Sequence, residues 1–114
     1  MIIYGIKNCD TVKKSLQWLK DKNIDFEFHD YKTKAITETK LKEWVRQVGW
    51  ETLINKKGTT WRKLEDAVKD QINDEQAAIV LMLNNTSLIK RPVIEKDNKV
   101  VFIGFDEQAY LKIL

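Results

Sequence analysis

The chain has 114 residues, 43% hydrophobic and 32% charged, with 20 basic against 17 acidic side chains and a formal net charge of +3. That is the size and composition of one globular domain, large enough to fold without a metal or a disulfide. Its single cysteine and single histidine exclude an internal disulfide framework, a Cys-rich zinc site and any Cys–His pair other than Cys9 with His29.

The first apolar run, Ile2-Ile3-Tyr4, ends at Gly5 and reads as a buried strand. Asn8-Cys9-Asp10-Thr11 supplies helix-start residues, and Val12, Leu16 and Leu19 then recur at helical spacing up to Asn23. Residues 25–30 alternate polar and apolar, the period of a half-buried strand. Strand, helix, strand makes a βαβ unit. Thr37 opens a helix with Leu41, Trp44, Val45 and Val48 on its apolar face, and Gly49 closes it. A short helix is predicted over 50–54, a basic turn over 55–60 ended by Trp61, and a capped helix from Asn73-Asp74-Glu75-Gln76 through Ala77, Val80 and Leu81. Val93-Ile94 and Lys99 to Ile103 flank Asp97-Asn98, a hairpin signal, and Asp106 caps a final helix with Ala109, Tyr110 and Ile113. The order βαβ, helices, ββα predicts an α/β, thioredoxin-like domain with a mixed four-stranded sheet. Residues 1–34 and 86–114 make that part, and 35–85 an inserted all-helical subdomain.

Cys9 falls between the first strand and the first helix, the end of an open α/β sheet where ligands bind. A sulfur at a helix N-terminus meets unsatisfied N–H groups and the positive end of the dipole, both of which favour thiolate. The Thr11 hydroxyl and the charges of Lys7 and Lys13 act in the same direction, and the carboxylate of Asp10 opposes them. Position 12, where a dithiol motif would carry its second sulfur, is Val12. Thiol exchange at Cys9 must therefore be resolved from outside, most simply by glutathione. In this fold Lys90-Arg91-Pro92 lies beside the first helix, so Arg91 would offer its planar cationic fork to an anion at Cys9. Pro92 suits a strand start, and a cis Arg91–Pro92 bond is expected.

His29 alternates with Phe26 and Phe28 and should face away from them, in a structural role. Trp18, Trp44, Trp50 and Trp61 read as core. Lys56, Lys57, Thr59, Thr60 and Arg62 form either a solvated loop or a rim for glutathione or another anion, across a cleft from Cys9. No metal-ligand spacing occurs.

Four segments, residues 4–11 (Tyr4 to Thr11), 28–31 (Phe28 to Tyr31), 58–64 (Gly58 to Leu64) and 89–92 (Ile89 to Pro92), together resemble the arsenate reductase-related (ArsC/Spx) family, and most of all its YffB-type members. The resemblance covers essentially the whole chain. It implies a thioredoxin-like fold, a nucleophilic role for Cys9 and an oxyanion-binding role for Arg91. Two further arginines of the arsenate reductases have no match: one falls near Asn55, beside Lys56 and Lys57, and the other near Gly104. Asp10 also replaces the small residue that usually follows the nucleophile. Arsenate reductase activity is therefore the least expected of the family's functions. The resemblance implies a glutathione-dependent thiol–disulfide reductase, with an Spx-like protein that binds RNA polymerase as the alternative.

The candidate site is thus Cys9, with Lys7, Asn8, Thr11 and Arg91 as substrate- or anion-binding residues. Glutathione is the expected co-substrate, a small thiol, disulfide or oxyanion the substrate, and no cofactor is expected to be permanently bound. The mild, dispersed basic excess suggests no direct nucleic-acid partner. No apolar run approaches the ~18 residues of a membrane span, and the N-terminus lacks a basic, apolar leader. A monomer in the reducing cytoplasm is expected.

Overall fold

A computed structural model describes all 114 residues and divides into two compact units, Met1–Lys34 with Arg91–Leu114, and Ala35–Lys90. The first unit holds a four-stranded mixed sheet in the order β2-β1-β3-β4. Its strands are β1 (Ile2–Gly5), β2 (Glu27–Asp30), β3 (Val93–Lys96) and β4 (Lys99–Ile103). β1 runs parallel to β2 with Tyr4 opposite His29, and antiparallel to β3 with Ile3 opposite Ile94. Asp97 and Asn98 turn β3 into β4, both at positive φ (53° and 63°), the geometry a tight hairpin requires.

Two helices cover one face of this sheet. α1 (Asp10–Asp21) contributes Trp18 and Leu19, and α7 (Glu107–Ile113) contributes Tyr110; these pack with Ile3 and Ile94 into a single apolar cluster. Phe26 and Phe28 join that cluster. His29, one residue out of phase, instead lies beside Tyr4 with ring centroids 5.0 Å apart. Tyr110 is fully buried and meets Trp18, Phe102 and Phe105 edge-on. Its hydroxyl shares a hydrogen bond with Ser15 Oγ (2.8 Å) and donates to the Gly104 carbonyl (2.6 Å), so the phenol is satisfied inside this apolar cluster, whereas the indole N–H of Trp18 is buried there without a hydrogen-bond partner. Burial pushes the Tyr110 phenol up to about 12, against the opposing effect of the Ser15 hydrogen bond.

The second unit is helical. α2 (Glu38–Val48) starts at Thr37, whose Oγ1 accepts the Lys40 N–H, and stops at Gly49, at φ +84°. α3 (Trp50–Leu53) follows. α6 (Glu75–Asn84) starts at Asp74, which accepts the Ala77 N–H. Leu41, Trp44, Val45, Leu53, Ile79 and Met82 bury its core. Two further short helices complete the all-helical segment: α4 (Thr59–Arg62), which begins within the last two residues of the expected basic turn, and α5 (Asp66–Asp70), for which the sequence offered no individual element. Neither is long enough to display an apolar period, so packing rather than pattern decides them.

The second boundary lies at Arg91 rather than at residue 86. A 3-10 turn over Thr86–Leu88 and the residues after it stay with the helices. The cause is backbone pairing: Asn55 N–H donates to Leu88 O (2.6 Å), Lys90 N–H donates to Leu53 O (2.9 Å), and Ile54 bridges Ile89. Two of the four tryptophans also depart from the core role. Trp44 is fully buried and Trp18 nearly so, whereas Trp50 and Trp61 are only partly buried.

Candidate active site

The site grows from the C-terminal end of β1. Gly5 closes the strand, and a Cβ there would lie 2.8 Å from Val12 Cγ2. Only glycine lets the strand end approach the first turn of α1 this closely. The loop between them delivers Cys9 as the N-cap residue of α1, with extended backbone (φ −127°, ψ 123°) and its carbonyl accepting the Lys13 N–H at 2.9 Å. Val12 is fully buried against the strand end, which fixes the rotation of that first turn.

Cys9 is the only cysteine, reduced and half-buried. Partial burial alone would raise its pKa. That effect is outweighed by the Val12 N–H, the hydrogen bond and positive charge of Arg91, and the Thr11 N–H, so the thiol titrates below its usual range. The sulfur makes no tight capping bond; it is a negative charge on it that these donors stabilise. Thr11 acts here through its backbone N–H, where the sequence had suggested its hydroxyl. Lys7, Asn8 and Thr11 are exposed around the sulfur's loop.

Arg91 reaches this position from the other end of the unit. It stands just before β3, and its peptide bond to Pro92 is cis. The Pro92 carbonyl accepts the Gly104 N–H at 2.8 Å, which ties the junction to the exit of β4. The guanidinium hydrogen-bonds Cys9 and also Tyr31, one residue past β2. Tyr31 is fully buried, and its backbone N–H donates to Gly5 O at 3.0 Å. Desolvation pushes its phenol well above the ordinary tyrosine range, against the charge and hydrogen bond of Arg91. Three strand ends and one helix start thus bring Cys9, Arg91 and Tyr31 together. The sequence pointed to Cys9 and Arg91 but gave Tyr31 no role, although Tyr31 closes segment 28–31, one of the four that carry the family resemblance.

The other candidate residues belong to the helical unit. The Lys56 ammonium lies over the rings of both Trp50 (5.6 Å) and Trp61 (5.3 Å), and Lys69 lies over Trp61 at 6.0 Å. Such cation–π contacts fix a loop as readily as they bind a ligand. Asn55 Oδ1 accepts the Lys57 N–H at 3.1 Å, and a Cβ at Gly58 would lie 2.8 Å from Asn55 Nδ2. Asn55 therefore organises its own turn. Lys57, Thr59 and Arg62 are exposed, and Thr60 is partly buried. No group of three or more His, Cys, Asp or Glu side chains could hold a metal ion. No helix is long and apolar enough to cross a membrane.

A four-stranded mixed sheet with two helices on one face and a cysteine at the start of the first helix is the thioredoxin-like arrangement, here with a helical unit inserted between its halves. The chain belongs to the ArsC family, whose model matches residues 4–113. A solved YffB protein structure superposes with a TM-score of 0.90 at 44% identity, over 97% of this chain and 96% of that one. An arsenate reductase (ArsC) related protein from Brucella melitensis follows at TM-score 0.80 and 45% identity, over 98% and 92%. A Haemophilus influenzae protein without an assigned function is 46% identical over 95% of this chain and 93% of its own length. The global transcriptional regulator Spx of Streptococcus pyogenes is 30% identical over 88% of this chain and 74% of its own length.

Proposed function

We propose that the protein is a glutathione-dependent thiol–disulfide reductase that works through one cysteine. The observation that carries this reading is the half-buried Cys9 thiol, held below its usual pKa by two helix-start amides and Arg91. Thiolate is the nucleophilic form, so such a sulfur is more ionised at neutral pH than an ordinary thiol.

The reaction balances as two exchanges. The Cys9 thiolate attacks the glutathionyl sulfur of a mixed disulfide; the S–S bond breaks, the substrate leaves as a thiolate, and Cys9 carries glutathione. A second glutathione thiolate attacks that sulfur, releasing oxidised glutathione and the Cys9 thiolate. Cys9 is the only cysteine, and Val12 stands where a dithiol motif would carry its second thiol, so the chain cannot do this itself. Arg91 stabilises the thiolate before attack and as it leaves, and its fork suits a glutathione carboxylate.

The test is glutathione-dependent reduction of 2-hydroxyethyl disulfide, with intact-mass analysis of the protein. Wild type should turn over and show a glutathionyl adduct, and Cys9→Ser should do neither. Activity retained in Cys9→Ser would refute the mechanism.

A second reading is favoured by the likeness to Spx: a regulator that binds RNA polymerase. It predicts capture of polymerase by wild type and Cys9→Ser alike. Arsenate reduction is disfavoured by two positions. Asn55 is committed to its own turn, and Gly104 sits at φ +96°, where an arginine would be strained.

A further inference from the structure

We propose that Tyr31 is a positioning residue: its buried phenol oxygen accepts a guanidinium N–H of Arg91 and pins that fork against the Cys9 sulfur. The proposal rests on the reading of Cys9 as the nucleophile and adds what aims the cation at it.

The geometry has three parts. First, Tyr31 is anchored at both ends. Its N–H continues the β1–β2 ladder onto Gly5 O at 3.0 Å, and the turn after it is closed by Asp30, which accepts Lys32 N–H at its side chain (2.9 Å) and Lys34 N–H at its carbonyl (2.9 Å). Its side chain has no exposed surface. Second, the guanidinium is only a donor, so in its hydrogen bond with Tyr31 the phenol oxygen must accept. An arginine side chain otherwise spreads over many rotamers, and a second fixed acceptor removes that freedom. Third, the acceptor is neutral. A carboxylate in this place would orient Arg91 equally well but would cancel its charge. Burial keeps the Tyr31 phenol protonated far above neutral pH, so the full positive charge remains directed at the sulfur. Gly5 joins these parts: its carbonyl holds Tyr31, and its bare Cα admits Val12, whose N–H faces the same sulfur.

The experiment follows the pH dependence of Cys9 alkylation by neutral iodoacetamide and anionic iodoacetate. It uses the full-length wild type, Tyr31→Phe, Arg91→Gln and the double variant. Removing the phenol oxygen should move the Tyr31→Phe profile toward that of an ordinary thiol, with roughly two- to tenfold fewer thiolates at neutral pH. It should slow iodoacetate more than iodoacetamide, because the fork no longer holds an anion at the sulfur. In the Arg91→Gln background the Tyr31 substitution should add nothing. A folded Tyr31→Phe with an unchanged profile overturns the proposal, as does an equal shift with and without Arg91. If Tyr31→Phe does not fold, wild-type NMR decides: hindered rotation of the Arg91 Nη groups supports the pinning, and free rotation overturns it. A wild-type profile like that of a free thiol removes the nucleophile reading and this proposal together. A depressed wild-type profile that ignores Tyr31 removes only the proposal. A profile as expected in a protein that fails to reduce disulfides removes only the reductase function.

Discussion

Replacing Arg91 by Gln should slow Cys9 alkylation below a certain pH and accelerate it above. Arg91 gives the sulfur one hydrogen bond and one positive charge. A hydrogen bond to a charged group contributes ~1.5–3 kcal/mol, and since Cys9 is only half-buried the lower figure applies. At ~1.4 kcal/mol per tenfold, Arg91→Gln lowers the ratio of thiolate to thiol about tenfold, and so the thiolate population about tenfold wherever both proteins are mostly protonated. The thiolates that remain are more basic and therefore more nucleophilic. With a Brønsted coefficient of about 0.4–0.5, that recovers roughly threefold. The net result in that pH range is alkylation about threefold slower. Once both proteins are fully ionised, only the nucleophilicity difference survives, and the variant should be about threefold faster. Rates with iodoacetamide from below neutral to about pH 10 would show the two profiles crossing. Parallel profiles, or a variant slower throughout, would refute the assignment of Arg91 as the cation that holds the thiolate.

Other expectations concern the frame around the site. Gly5→Ala places a methyl 2.8 Å from a fully buried Val12, neither of which can easily yield, and should destabilise by ~1–3 kcal/mol in urea denaturation; an unchanged midpoint would contradict the close approach. Tyr110→Phe leaves Ser15 and the Gly104 carbonyl without their shared hydroxyl and should cost ~1–3 kcal/mol. Adding Ser15→Ala should cost less than the two single effects combined, because the second change removes a group already orphaned. Stability should also fall at high pH. The folded Tyr110 phenol titrates at about 12, above its ordinary value of 10.0, so the unfolded chain loses that proton first. Its contribution is full below the ordinary value and is lost as pH rises through about 12; Tyr31 acts in the same sense. Denaturation midpoints across that range should decline less steeply in Tyr110→Phe than in wild type.

Much of this molecule depends on short-range chemistry, and that part could be read directly from the chain. Thr37, Asp74 and Asp106 each accept an N–H three residues on, and Asp97-Asn98 takes the positive φ values of a tight turn. Cys9 at the start of α1 is likewise a local fact, since its neighbours Thr11 and Val12 supply the amides. Spacing of one to four residues suffices for each, because backbone geometry brings such positions together in any folded context.

Tertiary structure decided the rest. The meeting of Arg91 with Cys9 could be expected once the strand order was read, because β3 lies antiparallel beside β1, but that Tyr31 joins them emerged only with β2 in place, parallel on the other side. Lys56 lies against Trp50 and Trp61 through the packing of short helices that carry no periodic signal, and Ser15 meets Tyr110 only when α1 and α7 share one face of the sheet. Tyr31 is far from both Cys9 and Arg91 along the chain, and Ser15 from Tyr110, whereas Lys56 meets its near neighbours Trp50 and Trp61 only through helices too short to show a period. Strand order and the burial of apolar faces bring them together once the loops between them have closed.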